Sequence, residues 1–87
     1  VFDIRVKKKV LKTVDKMPMK TQKKFATLLK DLRDKGPIRT EYPNFSALGG
    51  DEYHCHLEYK WVACWKWEKR SIIIEVYYAG SRENAPY

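Results

Sequence analysis

The chain has 87 residues, 18 Lys and Arg against 11 Asp and Glu, a formal net charge of +7, and 44% hydrophobic and 14% aromatic residues. That length sets one domain, residues 1–87, near the lower limit of what folds alone, with enough aromatic material for a single core. The charge points to an anionic partner (nucleic acid, an acidic protein or a membrane surface), with plain solubility as the competing reading. No signal peptide or internal repeat is visible, and no run approaches the roughly 20 apolar residues of a membrane span.

Val1 to Val6 alternates, Phe2, Ile4 and Val6 inward and Asp3 and Arg5 outward, which predicts a short strand. From Lys7 to Met17 the spacing turns helical, with Val10, Leu11, Val14 and Met17 on one face. Pro18 breaks that helix and suits the first turn of a second, expected from about Pro18 to Lys35. Phe25, Leu28, Leu29 and Leu32 form its apolar stripe, and Gly36-Pro37 stops it. The outer helix faces carry Lys7, Lys8, Lys9, Lys12, Lys16, Lys20, Lys23, Lys24 and Lys30. Such a run is most often a solvated face. The functional alternative is a footprint for RNA phosphates, with Lys7, Lys8, Lys9, Lys20, Lys23 and Lys24 as the contacts.

Ile38 to Asp51 reads as a loop marked by Pro43, Asn44 and Gly49-Gly50. Leu48 is expected to plug the core, and Tyr42 and Phe45 to cover the sheet edge or stack on a ligand. Tyr53 to Tyr87 then holds three strands and a short tail. Alternation puts Tyr53, Cys55, Leu57, Trp61, Ala63, Trp65, Trp67, Ile72, Ile74, Val76 and Tyr78 on an apolar face. His54, His56, Glu58, Lys60, Val62, Cys64, Lys66, Ile73, Glu75 and Tyr77 fall on the other, so that face collects titratable groups. Cys55 and Cys64 lie on opposite faces and are poorly placed for a disulfide, which fits a reducing cytoplasm. The fold class expected is α+β: a helical hairpin on one face of a small, mostly antiparallel four-stranded sheet, in the order β-α-α-β-β-β. The chain is expected to be complete, soluble and cytoplasmic.

Two histidines at i and i+2 of a strand share a face about 6 to 7 Å apart. That distance suits two groups flanking one phosphodiester. RNA can be cut without a metal or other cofactor when a base takes the 2′-hydroxyl proton, cations stabilise the phosphate and an acid protonates the leaving oxygen. Histidine serves either transfer, its ordinary pKa being roughly 6.5. Lys60 and Arg82 are candidates for the phosphate, and Tyr77 and Tyr87 for base stacking or a hydrogen bond. The competing reading is an ordinary surface pair of histidines. A metal site would need three or four ligands, and His54 and His56 with Cys64 or Glu58 fall short of a recognisable set. Glu58 and Glu75 are expected to pair with Lys60 or Lys66 across strands.

Leu48-Gly49 followed by Tyr53-His54-Cys55-His56-Leu57 resembles the "L-x-G … Y-x-x-x-L" pattern of the RelE/ParE toxin superfamily. Tyr59-Lys60-Trp61-Val62-Ala63-Cys64-Trp65 resembles its "Y-R-hydrophobic-hydrophobic-Y" strand, Ile72 to Tyr78 its apolar last strand, and Ala79 to Glu83 with Tyr87 its terminal "R-E … Y". The motifs cover residues 48–87 and the element order covers the whole chain. The resemblance implies a type II toxin that enters the ribosomal A site, cleaves mRNA without a metal and is neutralised by a cognate antitoxin. Its site would comprise His54, His56, Lys60, Arg82 and Tyr87. His54 and His56 stand where RelE has lysines, Lys60 where arginine is usual, and Arg82 and Tyr87 match. Histidines there make the acid–base chemistry more ordinary. The alternatives are a ParE-like DNA gyrase inhibitor, which needs no acid–base group, and a non-catalytic module that binds an antitoxin or nucleic acid.

Overall fold

The computed structural model describes residues 1–87. Its elements run β1 (Asp3–Val6), α1 (Lys8–Val14), α2 (Met19–Lys35), β2 (Ser46–Gly49), β3 (Glu52–Glu58), β4 (Trp61–Trp67) and β5 (Ile73–Ser81). The first helix is shorter than its apolar spacing predicts. Lys16 and Met17 donate back to the carbonyls of Thr13 and Val14 at 3.0 and 2.9 Å, a tight turn that closes α1 ahead of Pro18. Pro18 is extended (ψ 148°) and precedes α2, which buries Thr21, Phe25, Leu28 and Leu32 at helical spacing. Gly36 ends the helix at φ +95°, a left-handed conformation that favours glycine. A Cβ there would lie 3.0 Å from the Phe2 ring, so glycine also lets β1 close over the helix end.

The sheet has five strands, not the four expected, in the order β1-β5-β4-β3-β2. β1 joins β5 in parallel, and the other pairs are antiparallel. The unforeseen strand is Ser46–Gly49, placed in the sequence reading inside a loop. It has four residues, is largely exposed and carries no alternating apolar pattern, so only its ladder with β3 identifies it. Leu48 is half-buried there and does not enter the core, contrary to expectation. Tyr42 and Phe45 do pack against the core, and the Phe45 ring stacks on Tyr53 at 5.9 Å.

Val10, Val14, Phe25, Leu28 and Leu32 of the helices, with Met17 of the turn between them, meet Cys55, Leu57, Ala63, Trp65, Ile74, Val76 and Ala79 of the sheet. Trp65 is fully buried, and its indole N–H donates to the Pro37 carbonyl at 3.0 Å, tying the end of α2 to the sheet. Two irregularities revise the expected faces. A register shift between Cys64 and Trp65 sets Tyr78 opposite Cys64 and Val76 opposite Trp65, leaving Tyr77 as the extra residue. Ala79, not Tyr78, therefore joins the core. Ile72 precedes the strand and is 66% exposed rather than inward. The second face is not wholly polar either: Val62 and Cys64 are fully buried there, outside the helix-side core.

Candidate active site

His54 and His56 lie on β3 opposite Cys64 and Val62 of β4, so both imidazoles stand over this small apolar floor. Their ring centroids are 5.9 Å apart. The strand brings them together as its periodicity predicts, but they are not equivalent. His54 is only 8% exposed. Its Nδ1 lies 3.0 Å from the Ser46 hydroxyl of β2, and the Tyr87 ring covers it at 4.4 Å between centroids. His56 is half-buried and opens into a cavity. Its backbone N–H donates to the Pro43 carbonyl at 2.8 Å, anchoring the preceding loop.

Both imidazoles are held below their ordinary pKa. Burial is the larger cause at each. For His54 the neighbouring His56 adds to it, partly opposed by the Ser46 contact. For His56 the added cause is the Arg82 guanidinium. A neutral imidazole can accept a proton, so each histidine is poised as a base at neutral pH. Burial raises the Tyr87 phenol, which stays protonated and able to donate.

The cavity beside His56 has a volume of about 340 Å³. Lys24 of α2, Asn44 of the loop, Glu58 and Tyr59 at the β3–β4 turn, and Arg82 of the tail face it. A second cavity of about 330 Å³ shares Lys24, Pro43, His56 and Leu57 and extends toward Asp31 and Tyr42. The Tyr42 hydroxyl donates to Asp31 at 2.6 Å there, which with burial raises its pKa beyond the usual phenol range. A register shift between His56 and Glu58 lets β3 bend at Leu57 beside these cavities. Glu58 does not pair with Lys60 or Lys66 as expected. Its Oε1 forms ion pairs instead with Lys24 at 3.2 Å and Lys20 at 3.6 Å, both from α2, and accepts no hydrogen bond.

The other sequence candidates disperse. Lys60 is exposed, its ammonium lies 5.2 Å from the Trp61 ring, and it faces neither cavity. Its carbonyl accepts the Arg82 N–H at 2.7 Å, so it fixes the backbone from which Arg82 projects. The Tyr77 hydroxyl donates to Glu52 at 2.5 Å and is committed within the sheet. Lys9 meets Tyr77 and Tyr78 in a separate small cavity, with Lys7 and Lys8 beside it at the start of α1. Lys23 is exposed on α2 and faces neither His56 cavity. Ser46 and Tyr59 are site residues that the sequence reading missed, and Glu58, which it placed on the histidine face, enters the site as the partner of α2 lysines. Tyr59 in a two-residue turn was the one local signal, since an aromatic 87% exposed at a turn is free to stack. No three His, Cys, Asp or Glu side chains converge in a way that could hold a metal ion. No helix is long and apolar enough to cross a membrane.

No family model and no curated protein matches the sequence. Solved structures do match. RelE in the archaeal RelE–RelB complex from Pyrococcus horikoshii superposes with a TM-score of 0.75 at 16% identity, over 97% of this chain and 98% of that one. The isolated E. coli RelE toxin gives 0.74 at 14% identity, over 99% and 89%. The Staphylococcus aureus YoeB–YefM complex gives 0.71 at 12% identity, over 94% and 98%. The mixed sheet, the helical hairpin and their order are thus shared almost end to end, and the chain has the RelE-like fold of type II toxins.

Proposed function

We propose that residues 1–87 form the toxin of a toxin–antitoxin pair, acting in the cytoplasm as a ribosome-dependent mRNA endonuclease. The observation that carries this reading is the pair of imidazoles, 5.9 Å apart and both held below their ordinary pKa, beside an Arg82 side chain that has no ion-pair partner. In the reaction, one imidazole takes the proton from a 2′-hydroxyl. The freed oxygen bonds to the adjacent phosphorus, and the bond from phosphorus to the 5′-oxygen breaks. The second imidazole, protonated, returns a proton to that leaving oxygen. The products are a 2′,3′-cyclic phosphate and a 5′-hydroxyl. Arg82 supports the charge on the phosphoryl oxygens, and Tyr87 and Tyr59 offer rings to neighbouring bases. Residues of this chain supply every proton transfer.

The fold supports a toxin of this class, and the basic helices suit a ribosomal RNA surface. An antitoxin has a seat in the groove between β1 and α2, where Phe2, Ile4, Val6, Ala26 and Leu29 present apolar surface. Expression from a tightly repressed promoter, with 5′-end mapping of mRNA, tests the reading against a His54→Ala, His56→Ala double variant. New cuts confined to translated frames and absent in the double variant are expected. Growth arrest with DNA damage and intact mRNA would replace it with gyrase inhibition. No arrest and no cuts would leave a binding module.

A further inference from the structure

Lys24 stands apart from the other basic residues of the helices. Of Lys7, Lys8, Lys9, Lys20, Lys23 and Lys24, only Lys20 and Lys24 have a carboxylate partner, and it is the same atom, Glu58 Oε1. Lys20 is 81% exposed and its contact is the longer, so solvent screens it most. Lys24 is more sheltered, lies 3.2 Å from Glu58 and faces both cavities at His56. Across the same cavity Arg82 is held by its backbone, through the N–H to Lys60 and the carbonyl to Ala85, while its guanidinium makes no ion pair. Lys24 and Arg82 outnumber Glu58, the one carboxylate that lines this cavity. The cavity therefore has a surplus of positive charge, with donors supplied by α2 and by the tail, the pattern that receives a phosphate.

We propose that this cavity is a phosphate subsite clamped between Lys24 and Arg82, with Glu58 as the positioning residue that holds Lys24 over it. The inference rests on the reading of the histidine face as a phosphodiester site, and it adds the second cation and its brace. Glu58 carries an apparent disadvantage, since an anion at the rim opposes phosphate through space. What offsets this is order: a lysine has a flexible stem, and a sheltered carboxylate 3.2 Å away draws it to one region.

Inorganic phosphate is the probe, titrated into the purified protein while the Cε1 proton of His56 is followed by NMR. Wild type should show a saturable shift. Lys24→Ala should weaken phosphate binding roughly tenfold, the effect of one charge-assisted contact, and Lys24→Arg should restore most of it. Lys69→Ala, which removes the same charge from the distant β4–β5 turn, should change binding less than about twofold. Glu58→Gln decides the positioning role because the two physical effects differ in sign. Removing an anion through space would tighten binding; releasing Lys24 weakens it, and weakening is expected. Thermal melts of each variant confirm folding. A Lys24→Ala result equal to Lys69→Ala, or no saturable shift in wild type, overturns the subsite. Unchanged or tighter binding in Glu58→Gln overturns the positioning role. Intact mRNA in cells together with the expected phosphate titration would sink the nuclease reading and leave the subsite standing.

Discussion

Tyr87→Ala asks what keeps His54 neutral. On strand geometry alone His54 points away from the helix side, yet only 8% of it is exposed. The Tyr87 ring lies over it, 4.4 Å away between centroids. Tyr87 itself is 52% exposed, so about half of its surface is engaged. Fully burying a large apolar side chain contributes about 1.5–3 kcal/mol, so half of that is about 1 kcal/mol. The ring contact adds about 0.5–1.5 kcal/mol. The variant should therefore lose about 1.5–2.5 kcal/mol. For a domain of this size each 1 kcal/mol lowers Tm by about 4–8 °C, readily seen in a circular dichroism melt.

The second readout is the titration of His54 itself. Its pKa is lowered in the folded protein chiefly by burial. Opening the ring to water should move it up toward its ordinary value of roughly 6.5. The linkage follows in sign. The unfolded chain takes up a proton at His54 before the folded protein does, so stability is full above about pH 6.5 and declines as pH falls below it. In Tyr87→Ala that acid sensitivity shrinks. The stability difference between wild type and variant should therefore be largest near neutral pH and smaller on acidification. An NMR titration of the His54 Cε1 proton unchanged by the substitution would refute the argument and assign the burial to β2 and the strand.

For RNA cleavage, kcat/KM should peak below pH 6.5, because one imidazole must be neutral and the other protonated, and both are held below their ordinary pKa. Arg82→Ala should shift the His56 limb upward, since the guanidinium is one cause of its depression; a limb that moves down or stays would contradict the pairing. Trp65→Phe leaves the buried Pro37 carbonyl without its donor and should cost about 1–3 kcal/mol in denaturant unfolding. Gly36→Ala meets both a φ of +95° and the Phe2 ring at 3.0 Å, and a loss of at least about 1 kcal/mol is expected from the backbone alone.

Local periodicity carried most of the fold. The buried stripe of α2 and the inward Ala63 and Trp65 of β4 sit where spacing predicts them, because i+3, i+4 and i+2 relations are fixed by backbone geometry. The misses have non-local causes. β2 exists because β3 offers it a ladder, not because Ser46–Gly49 has strand character. The shift at Cys64 and Trp65, which moves Tyr78 out of the core and Ala79 in, depends on register between two strands and leaves no local mark.

The same division explains why the candidate site was only half legible. That His54 and His56 share a face follows from strand alternation. That they differ does not, for the difference arises from residues far along the chain. Ser46 reaches His54 from β2, and Tyr87 returns over it from the tail. Lys24 reaches the His56 cavity from α2, where a scan of the sequence sees one lysine among many. Glu58 distinguishes that lysine, but only once the hairpin is laid on the sheet. The face bearing the histidines is therefore a property of β3, whereas the environment that makes one imidazole sheltered and the other open is a property of the assembled fold. Chemistry requiring two unlike proton-transfer groups draws on the second property, and for that reason the Tyr87 cover and the Lys24–Glu58 pair, more than the histidine spacing, are where the proposed mechanism is most exposed to test.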